Sequence, residues 1–324
     1  MPDIDKTIGT DARNYSTITL WEAADGGGDG LGNDDCTGSC YNDSAFDESV
    51  TLNFSANSTV LTVAAGERHD GTAGTGARIS ASKLITINAN GYTVDVTIDW
   101  LEVDCNGKRS DTLVDFHGVG ATKIANHLLL HDWVGHPIGI ALSHWGTAAV
   151  ALNSIIYNGE ETWANPSFGI LDKYTRGDVR NVTIYGMTST GSGSGYGIDN
   201  SGGNPINCLV VDSETADYLA CDTGDYNLDS DNTAAGANSI HNKTAANQFV
   251  STSPVNLHLK AGADAIDAGT DLGTTPTGVN IDIDGRDRDA EGDTWDIGAD
   301  EYVAAGGPLL LRLQTEGLFV GSTV

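Results

Sequence analysis

The densest set of titratable side chains in this sequence lies between residues 117 and 173. It comprises His117, His127, His131, Asp132, His136, His144, Glu160, Glu161, Asp172 and Lys173. A histidine among polar neighbours can act as a general base near neutral pH, and a pair of carboxylates can cleave a glycosidic bond. If the chain is an enzyme, this chemistry makes His131, Asp132 and Asp172 the candidate catalytic residues.

The alternative interpretation of the same set is structural. Histidines in the turns of an acidic protein commonly serve only as hydrogen-bond donors. Glu160 and Glu161 are adjacent, so on a strand they point to opposite faces and cannot both flank one glycosidic bond. Nearby aromatic residues such as Trp163 could stack on sugar rings, and they could equally pack a loop or an interface. The sequence therefore favours a protein without catalytic activity.

A second cluster of charge occupies residues 281–302, here called the acidic stretch, which holds nine carboxylates and two arginines. The carboxylates that could share a calcium ion are Asp282, Asp284, Asp287 and Asp289. The EF-hand spacing is absent, however, and Arg286 and Arg288 lie inside the stretch. We therefore expect no cofactor in this stretch and keep Ca²⁺ as the alternative.

The elements that must position these residues follow from a repeat. Asn126, Asn153, Asn181 and Asn207 recur at nearly equal spacings in the upper twenties, each within a short apolar run. A second marker keeps the same period: Gly139-Ile140, Gly169-Ile170 and Gly197-Ile198. A period in the twenties with strand-like runs predicts stacked β coils, and the leucine-rich frame is missing. Asparagines stacked at the strand spacing of about 4.8 Å can hydrogen-bond in a ladder, although asparagine also simply suits turns.

Composition limits the partners. The 324 residues carry 45 acidic and 16 basic side chains, a formal charge of −29, which argues against nucleic acid as a partner. The start lacks the features of a Sec-type signal peptide, and no run approaches 18 apolar residues, so we expect no membrane span. Five cysteines do not make a disulfide framework, and a bond between Cys36 and Cys40 is left open.

The two ends of the chain carry a resemblance. "LHLKAGADAIDAGTDLG", "DIDGRDRD" and "DIGADEY" resemble the C-terminal signature of right-handed parallel β-helix proteins of the pectin-lyase-like superfamily, found in phage virions and on bacterial surfaces. The opening "TIGTDARNYSTITLWEAA" resembles the N-terminal cap of phage-borne relatives. The resemblance implies an all-β, right-handed parallel β-helix with a short N-terminal capping helix and an acidic cap at the C-terminal end. In that cap, Arg286 and Arg288 would pair with nearby carboxylates.

Four segments are expected along the chain. They are residues 1–35 (N-terminal cap with a short helix), 36–220 (β-helix coils), 221–303 (terminal coils and acidic cap) and 304–324 (a hinge and an apolar docking tail). The apolar residues expected to dock the tail on a partner are Leu309, Leu311, Leu313 and Phe319.

The resemblance also implies a function class. We expect a structural protein displayed on the surface of a bacteriophage particle, as a head decoration, fibre or short spike. Its tail would bind other virion proteins or sister subunits. The alternatives are a depolymerase of host polysaccharide, either a polysaccharide lyase or a glycoside hydrolase, and a non-catalytic glycan adhesin, with an extracellular or bacterial cell-surface location.

Overall fold

A computed structural model of the chain describes residues 4–26, 35–52, 58–80, 87–89, 95–116, 122–142, 149–172, 177–200, 203–291 and 294–304. The strands are β1 (Ile4–Ile8), β2 (Asp35–Cys40), β3 (Val50–Leu52), β4 (Ser58–Val63), β5 (Arg78–Ile79), β6 (Ile87–Ala89), β7 (Asp95–Asp99), β8 (Glu102–Phe116), β9 (Lys123–Asn126), β10 (Leu129–Ala141), β11 (Ala149–Leu152), β12 (Ile155–Glu161), β13 (Ser167–Asp172), β14 (Asp178–Arg180), β15 (Thr183–Tyr185), β16 (Thr188–Ser189), β17 (Gly195–Asn200), β18 (Leu209–Val211), β19 (Ala216–Leu219), β20 (Phe249–Thr252) and β21 (Val255–Leu259). The helices are α1 (Ile18–Trp21), which continues as a π-helical turn over Glu22–Gly26, α2 (Ala245–Gln248) and α3 (Arg288–Glu291).

The strands wind into a parallel β-solenoid. Seven described strands form one sheet in the order β1-β2-β4-β7-β9-β11-β14, and all of its pairings are parallel. A second sheet of twelve described strands is built around β8, β10 and β12. Its Cα partners lie one coil apart in the chain, as in the pairs His131 with Tyr157 and Ile170 with Ile198. The predicted parallel β-helix is confirmed, and the hand of the coil stays a prediction.

The repeated Gly-Ile pairs lie in register on the second sheet, where Ile140 pairs with Ile170 and Ile170 with Ile198. A Cβ atom built on Gly139 would lie 2.5 Å from the carbonyl oxygen of Gly169, and one on Gly169 would lie 2.9 Å from that of Gly197. Any side chain would push neighbouring coils apart at this point. Glycine therefore recurs once per coil because the coils approach closely there.

The four repeated asparagines form a hydrogen-bonded row, here called the asparagine ladder. The side-chain amide of Asn153 donates to Asn126 (3.0 Å), that of Asn181 to Asn153 (3.0 Å), and that of Asn207 to Asn181 (3.1 Å). All four side chains are buried. The last three have φ values of 43°, 52° and 55°, a left-handed conformation that asparagine tolerates better than most residues.

The register of the ladder slips at its first member. Asn126 ends β9 and pairs with Leu152, so His127 and not Asn126 stacks beneath Asn153. His127 has φ of 44°, as expected at this turn position. The side chains of Asn126 and Asn153 are therefore hydrogen-bonded although the two residues are one position apart in the strand register.

The C-terminal lobe, residues 245–291 and 294–304, packs along the flank of the solenoid. The second amide hydrogens of Asn153, Asn181 and Asn207 are donated to carbonyl oxygens of the lobe, those of Gly278 (2.9 Å), Val279 (2.8 Å) and Thr270 (2.8 Å). Apolar clusters lie against both sheets. One comprises Leu129, Ile155, Leu209, Phe249, Leu257, Ile283 and Ile297, and the other comprises Val150, Leu152, Val279 and Trp295.

This placement corrects the expectation that the acidic stretch covers the end of the solenoid. Ile281 contacts His127, while Gly298 donates its N–H to the carbonyl of Asn207 (2.8 Å), several coils away. The stretch lies on the flank because the turns there present unpaired amide hydrogens that its backbone satisfies. After β19, the last strand of the second sheet, the chain continues through loops, where Leu228 bridges back to Leu209 of β18.

Arginine pairing holds the acidic stretch together. Arg288 is fully buried, with its guanidinium 2.9 Å from Glu301 and 2.9 Å from the carbonyl oxygens of Gly298 and Ala299. Burial raises the pKa of Glu301 to about 8, against the opposing effect of Arg288. The contact between Arg288 and Glu301 therefore links α3 to the last described residues of the lobe.

At the other end, α1 covers the first coils. The hydroxyl of Thr17 accepts the N–H of Leu20 (3.1 Å), and Glu48 accepts the N–H of Ile18 (2.8 Å). The two cysteines left open by the sequence, Cys36 and Cys40, are both buried on β2 as thiols, with no disulfide between them. Four residues of strand span about 13 Å, beyond the reach of a disulfide. The docking tail, with Leu309, Leu311, Leu313 and Phe319, lies outside the described residues.

Candidate functional site

A second row of turn residues borders an open groove on the solenoid. Asn106, Asp132, Asn158, Gly186 and Asp212 follow one another at the coil period, one residue per coil. All five have positive φ, between 47° and 69°. Asn, Asp and Gly adopt this left-handed conformation at the least cost, so the bend selects these residue types. The result is a line of small or polar residues at intervals of about 4.8 Å.

The groove has a volume of about 720 Å³. Its remaining lining residues are Gly107, Trp133, Val134, Glu160, Tyr185 and Thr188. Three carboxylates, those of Asp132, Glu160 and Asp212, line it without any lysine or arginine among the described lining residues. Burial raises the pKa of Asp212. The groove is therefore acidic.

Behind the groove, His131 lies between carboxylates. Its Nδ1 donates to Asp132 Oδ2 (2.9 Å) and its Nε2 donates to Glu102 Oε1 (3.0 Å). Because carboxylates accept only, this arrangement favours an imidazole that carries a proton on both nitrogens. The oxygens of Glu102, which is fully buried, also accept the N–H of Gly74 at 2.8 and 3.0 Å. The ring of Tyr157 stacks on the imidazole at 5.0 Å between centroids.

The protonation of this network follows from its contacts. Burial lowers the pKa of His131, but its hydrogen bonds to Asp132 and Glu102 outweigh that effect and raise the pKa to about 9. Burial raises the pKa of Asp132, but His131 and Asn158, whose amide donates at 2.8 Å, lower it below the ordinary value. A histidine already protonated at pH 7 cannot accept a proton, so His131 is not poised to act as a general base. The network instead anchors one wall of the groove.

The structure brings together two of the three candidate catalytic residues. His131 and Asp132 share the network, whereas Asp172 is fully buried near the opposite end of β10 and accepts the N–H of Gly177. Glu160 lines the groove and Glu161 is buried, so the two glutamates point to different sides.

The four aspartates considered for calcium are not gathered around one point. Each accepts hydrogen bonds from different protein groups: Asp282 from the N–H groups of Asp284, Arg286 and Glu301, Asp284 from His258 and Arg286, Asp287 from Asn280, and Asp289 from Trp295. Among the described residues, the groups whose ligand atoms lie close enough to share an ion are Asp104, His131 and Asp132, and a second set of His258, Asp284 and Asp300. In the first set, both nitrogens of the histidine already donate to carboxylates.

Sequence reasoning missed Glu102 and Asp212. Asp212 was recoverable, because it continues the row of Asp132, Asn158 and Gly186 at the coil period. Glu102 lies roughly one coil before His131 in the chain, but its position at the start of an apolar-looking strand gave no distinguishing signal.

Comparison of the chain with protein-family models, with curated proteins and with solved structures found no match. Within the part of the chain that the structure describes, no helix has the length and apolar character needed to cross a membrane.

Proposed function

We propose that this protein is a structural, non-catalytic component displayed on the surface of a bacteriophage particle, as a head decoration, fibre or short spike protein. The observation that supports a structural role best is the state of His131. Its two nitrogens are occupied by Glu102 and Asp132, so this polar cluster serves to hold neighbouring coils together.

The build of the rod agrees with this proposal. The C-terminal lobe is hydrogen-bonded to the asparagine ladder along several coils, which ties the coils laterally as well as through their strands. A stiff rod suits a surface-displayed part, with the tail of residues 304–324 as its attachment to sister subunits or other virion proteins. The virion assignment itself rests on the resemblance of the two ends of the chain, with the bacterial cell surface as the alternative location.

The test of the structural role is a search for catalysis. The protein is incubated with capsular and cell-wall polysaccharides of candidate hosts, and the products are separated by size and by reducing-end analysis. We expect no oligosaccharides. Release of oligosaccharides that is lost in Asp132→Asn would replace the structural proposal with a depolymerase. Labelling of purified particles with an antibody against the protein tests the location.

A second candidate function, binding of a neutral glycan in the groove, is favoured by one aromatic residue. Trp163 is 51% exposed, and the guanidinium of Arg109 stacks on its ring at 3.9 Å. Arg109 is in register with Val134, which lines the groove, so the ring lies at its margin. An exposed ring beside a row of polar side chains suits stacking on sugars. The three groove carboxylates disfavour an acidic polysaccharide.

A matched pair of variants tests the binding. Trp163→Ala should abolish retention on neutral host glycans measured by array or calorimetry. Tyr41→Ala is the control, because Arg13 stacks on Tyr41 at 3.6 Å in the same manner in the N-terminal region. Equal binding by both variants would remove the groove from consideration.

A further inference from the structure

Three segments of the C-terminal lobe bring potential metal ligands to one point. His258 lies on β21, Asp284 in the first part of the acidic stretch, and Asp300 near its end. Nε2 of His258 is 3.0 Å from Oδ1 of Asp284, and the three side chains each place one ligand atom within 4.8 Å of the others. Of the four aspartates considered for calcium from the sequence, Asp284 alone takes part.

The burial of Asp300 provides independent support for a cation at this cluster. Its side chain is almost entirely buried, at 4% exposure. Oδ2 accepts the N–H of Leu259 (2.7 Å), but Oδ1 is buried without a hydrogen-bond partner among the described protein groups. A buried carboxylate oxygen normally has a donor or a cation, because leaving it unpaired is costly.

Each of the three side chains is held by a second contact. Nδ1 of His258 donates to Asn256 Oδ1 (2.7 Å), which leaves Nε2 directed at the carboxylates. The other oxygen of Asp284 is 2.8 Å from Arg286, and Asp300 is fixed by Leu259. Such outer contacts orient metal ligands and are typical of sites that bind an ion.

We propose that His258, Asp284 and Asp300 bind a first-row divalent metal ion of the Zn²⁺ class. An imidazole with two carboxylates and a water completes a four-coordinate zinc site, whereas Ca²⁺ and Mg²⁺ prefer ligand sets made of oxygen alone. The ion takes the place of the proton between His258 and Asp284, and that proton passes to solvent. The metal thereby cross-links three segments that are well separated in the chain. They lie next to the solenoid at Gly71, whose added Cβ would lie 3.0 Å from the ring of His258.

The test uses the full chain, stripped with a chelator and then titrated with Zn²⁺ by calorimetry. We expect one tight site per chain, and visible absorption bands of four- or five-coordinate Co²⁺ when cobalt is the probe. His258→Gln and Asp300→Asn should each weaken Zn²⁺ binding by about 100-fold or more. Loss of a residue that only supports a metal ligand already lowers affinity by about 10- to 100-fold, and loss of a ligand should cost at least as much. Asp287→Asn removes the same charge from the acidic stretch outside the cluster, and should leave the affinity unchanged.

Other outcomes overturn the proposal. They are Zn²⁺ binding that is equal in the wild-type protein and in His258→Gln, and Ca²⁺ that displaces Zn²⁺ at equal concentration. If circular dichroism shows that a variant does not fold, X-ray absorption spectroscopy of the zinc-loaded wild-type protein identifies the ligands of the ion instead. One imidazole among oxygen ligands supports the site, and an ion without imidazole overturns it.

Discussion

Replacing Asn181 with leucine should destabilise the protein strongly, because three buried hydrogen bonds meet at this side chain. Its Nδ2 donates to Asn153 Oδ1 (3.0 Å) and to the carbonyl of Val279 (2.8 Å), and its Oδ1 accepts from Asn207 (3.1 Å). Leucine offers none of these contacts. The residue is also fully buried, so water cannot take their place without opening the structure.

The magnitude follows from the partners left behind. Each of three buried polar groups loses a partner, at about 1 kcal/mol each, the lower end of the range. One of them, Nδ2 of Asn207, keeps a hydrogen bond to the carbonyl of Thr270. The φ of 52° adds a second cost, since a non-glycine, non-asparagine residue in the left-handed region is strained by about 1 kcal/mol. The sum is about 4 kcal/mol, and coupling between neighbours makes a range of roughly 3–5 kcal/mol reasonable.

The assay is equilibrium urea unfolding combined with hydrogen exchange measured by mass spectrometry. Asn158→Leu is the matched control: Asn158 has φ of 56°, but lies at the edge of the groove and its amide donates to Asp132. It should cost about 1–2 kcal/mol, mostly from the backbone and one hydrogen bond. In Asn181→Leu, residues 270–283 of the lobe should also exchange faster than in wild type.

The reasoning is refuted if Asn181→Leu and Asn158→Leu unfold within about 1 kcal/mol of each other. Asn181→Gly separates the two costs, because glycine adopts the left-handed conformation freely and removes only the hydrogen bonds. It should therefore recover about 1 kcal/mol relative to leucine.

Three further predictions concern protonation, calcium and the tail. The folded pKa of His131, about 9, lies above its ordinary value of 6.5, so its contribution is fully present below pH 6.5 and is lost as the pH rises through 9. The loss is at most about 3 kcal/mol of unfolding free energy. It is measured by comparing the unfolding free energies of wild type and His131→Gln between pH 6.5 and 9, and unfolding free energies that change in parallel with pH in the two proteins would contradict it. Adding Ca²⁺ should leave the melting temperature unchanged, because the four aspartates of the acidic stretch already accept hydrogen bonds from the protein; a rise of many degrees would restore the calcium hypothesis. Deleting residues 306–324 should leave the melting temperature unchanged and abolish oligomerisation or incorporation into particles. A truncated protein that assembles normally but melts at a much lower temperature would show instead that the tail packs against the core of its own chain.

The coil period could be predicted from the sequence because a few positions have strict physical requirements. Asn181 and Asn207 must adopt a left-handed turn and also hydrogen-bond to their neighbours, and Gly169 must leave room for a carbonyl oxygen of the next coil. Such positions tolerate few residue types, so the repeat is visible in one sequence.

The polar networks were less predictable, because they depend on how segments far apart in the chain meet. His131 and Asp132 were identified as candidates, but Glu102 decides their chemistry by binding the second ring nitrogen. His258 and Asp300 come together only through the path of the lobe. The position of the acidic stretch on the flank depends on amide hydrogens of the ladder, and a linear pattern does not reveal where these lie.

The asparagine ladder and the C-terminal lobe complete each other. A stacked asparagine donates one amide hydrogen to the neighbouring coil, and its second amide hydrogen points outward from the turn. In a bare solenoid these outward hydrogens would face water, but here the carbonyls of Gly278 and Val279 accept them. Gly278 has φ of 86°, and a Cβ atom there would lie 3.0 Å from the side-chain amide of Asn126. Glycine at this position therefore lets the backbone of the lobe approach the ladder. The asparagine spacing that defines the coils therefore also determines where the C-terminal lobe attaches.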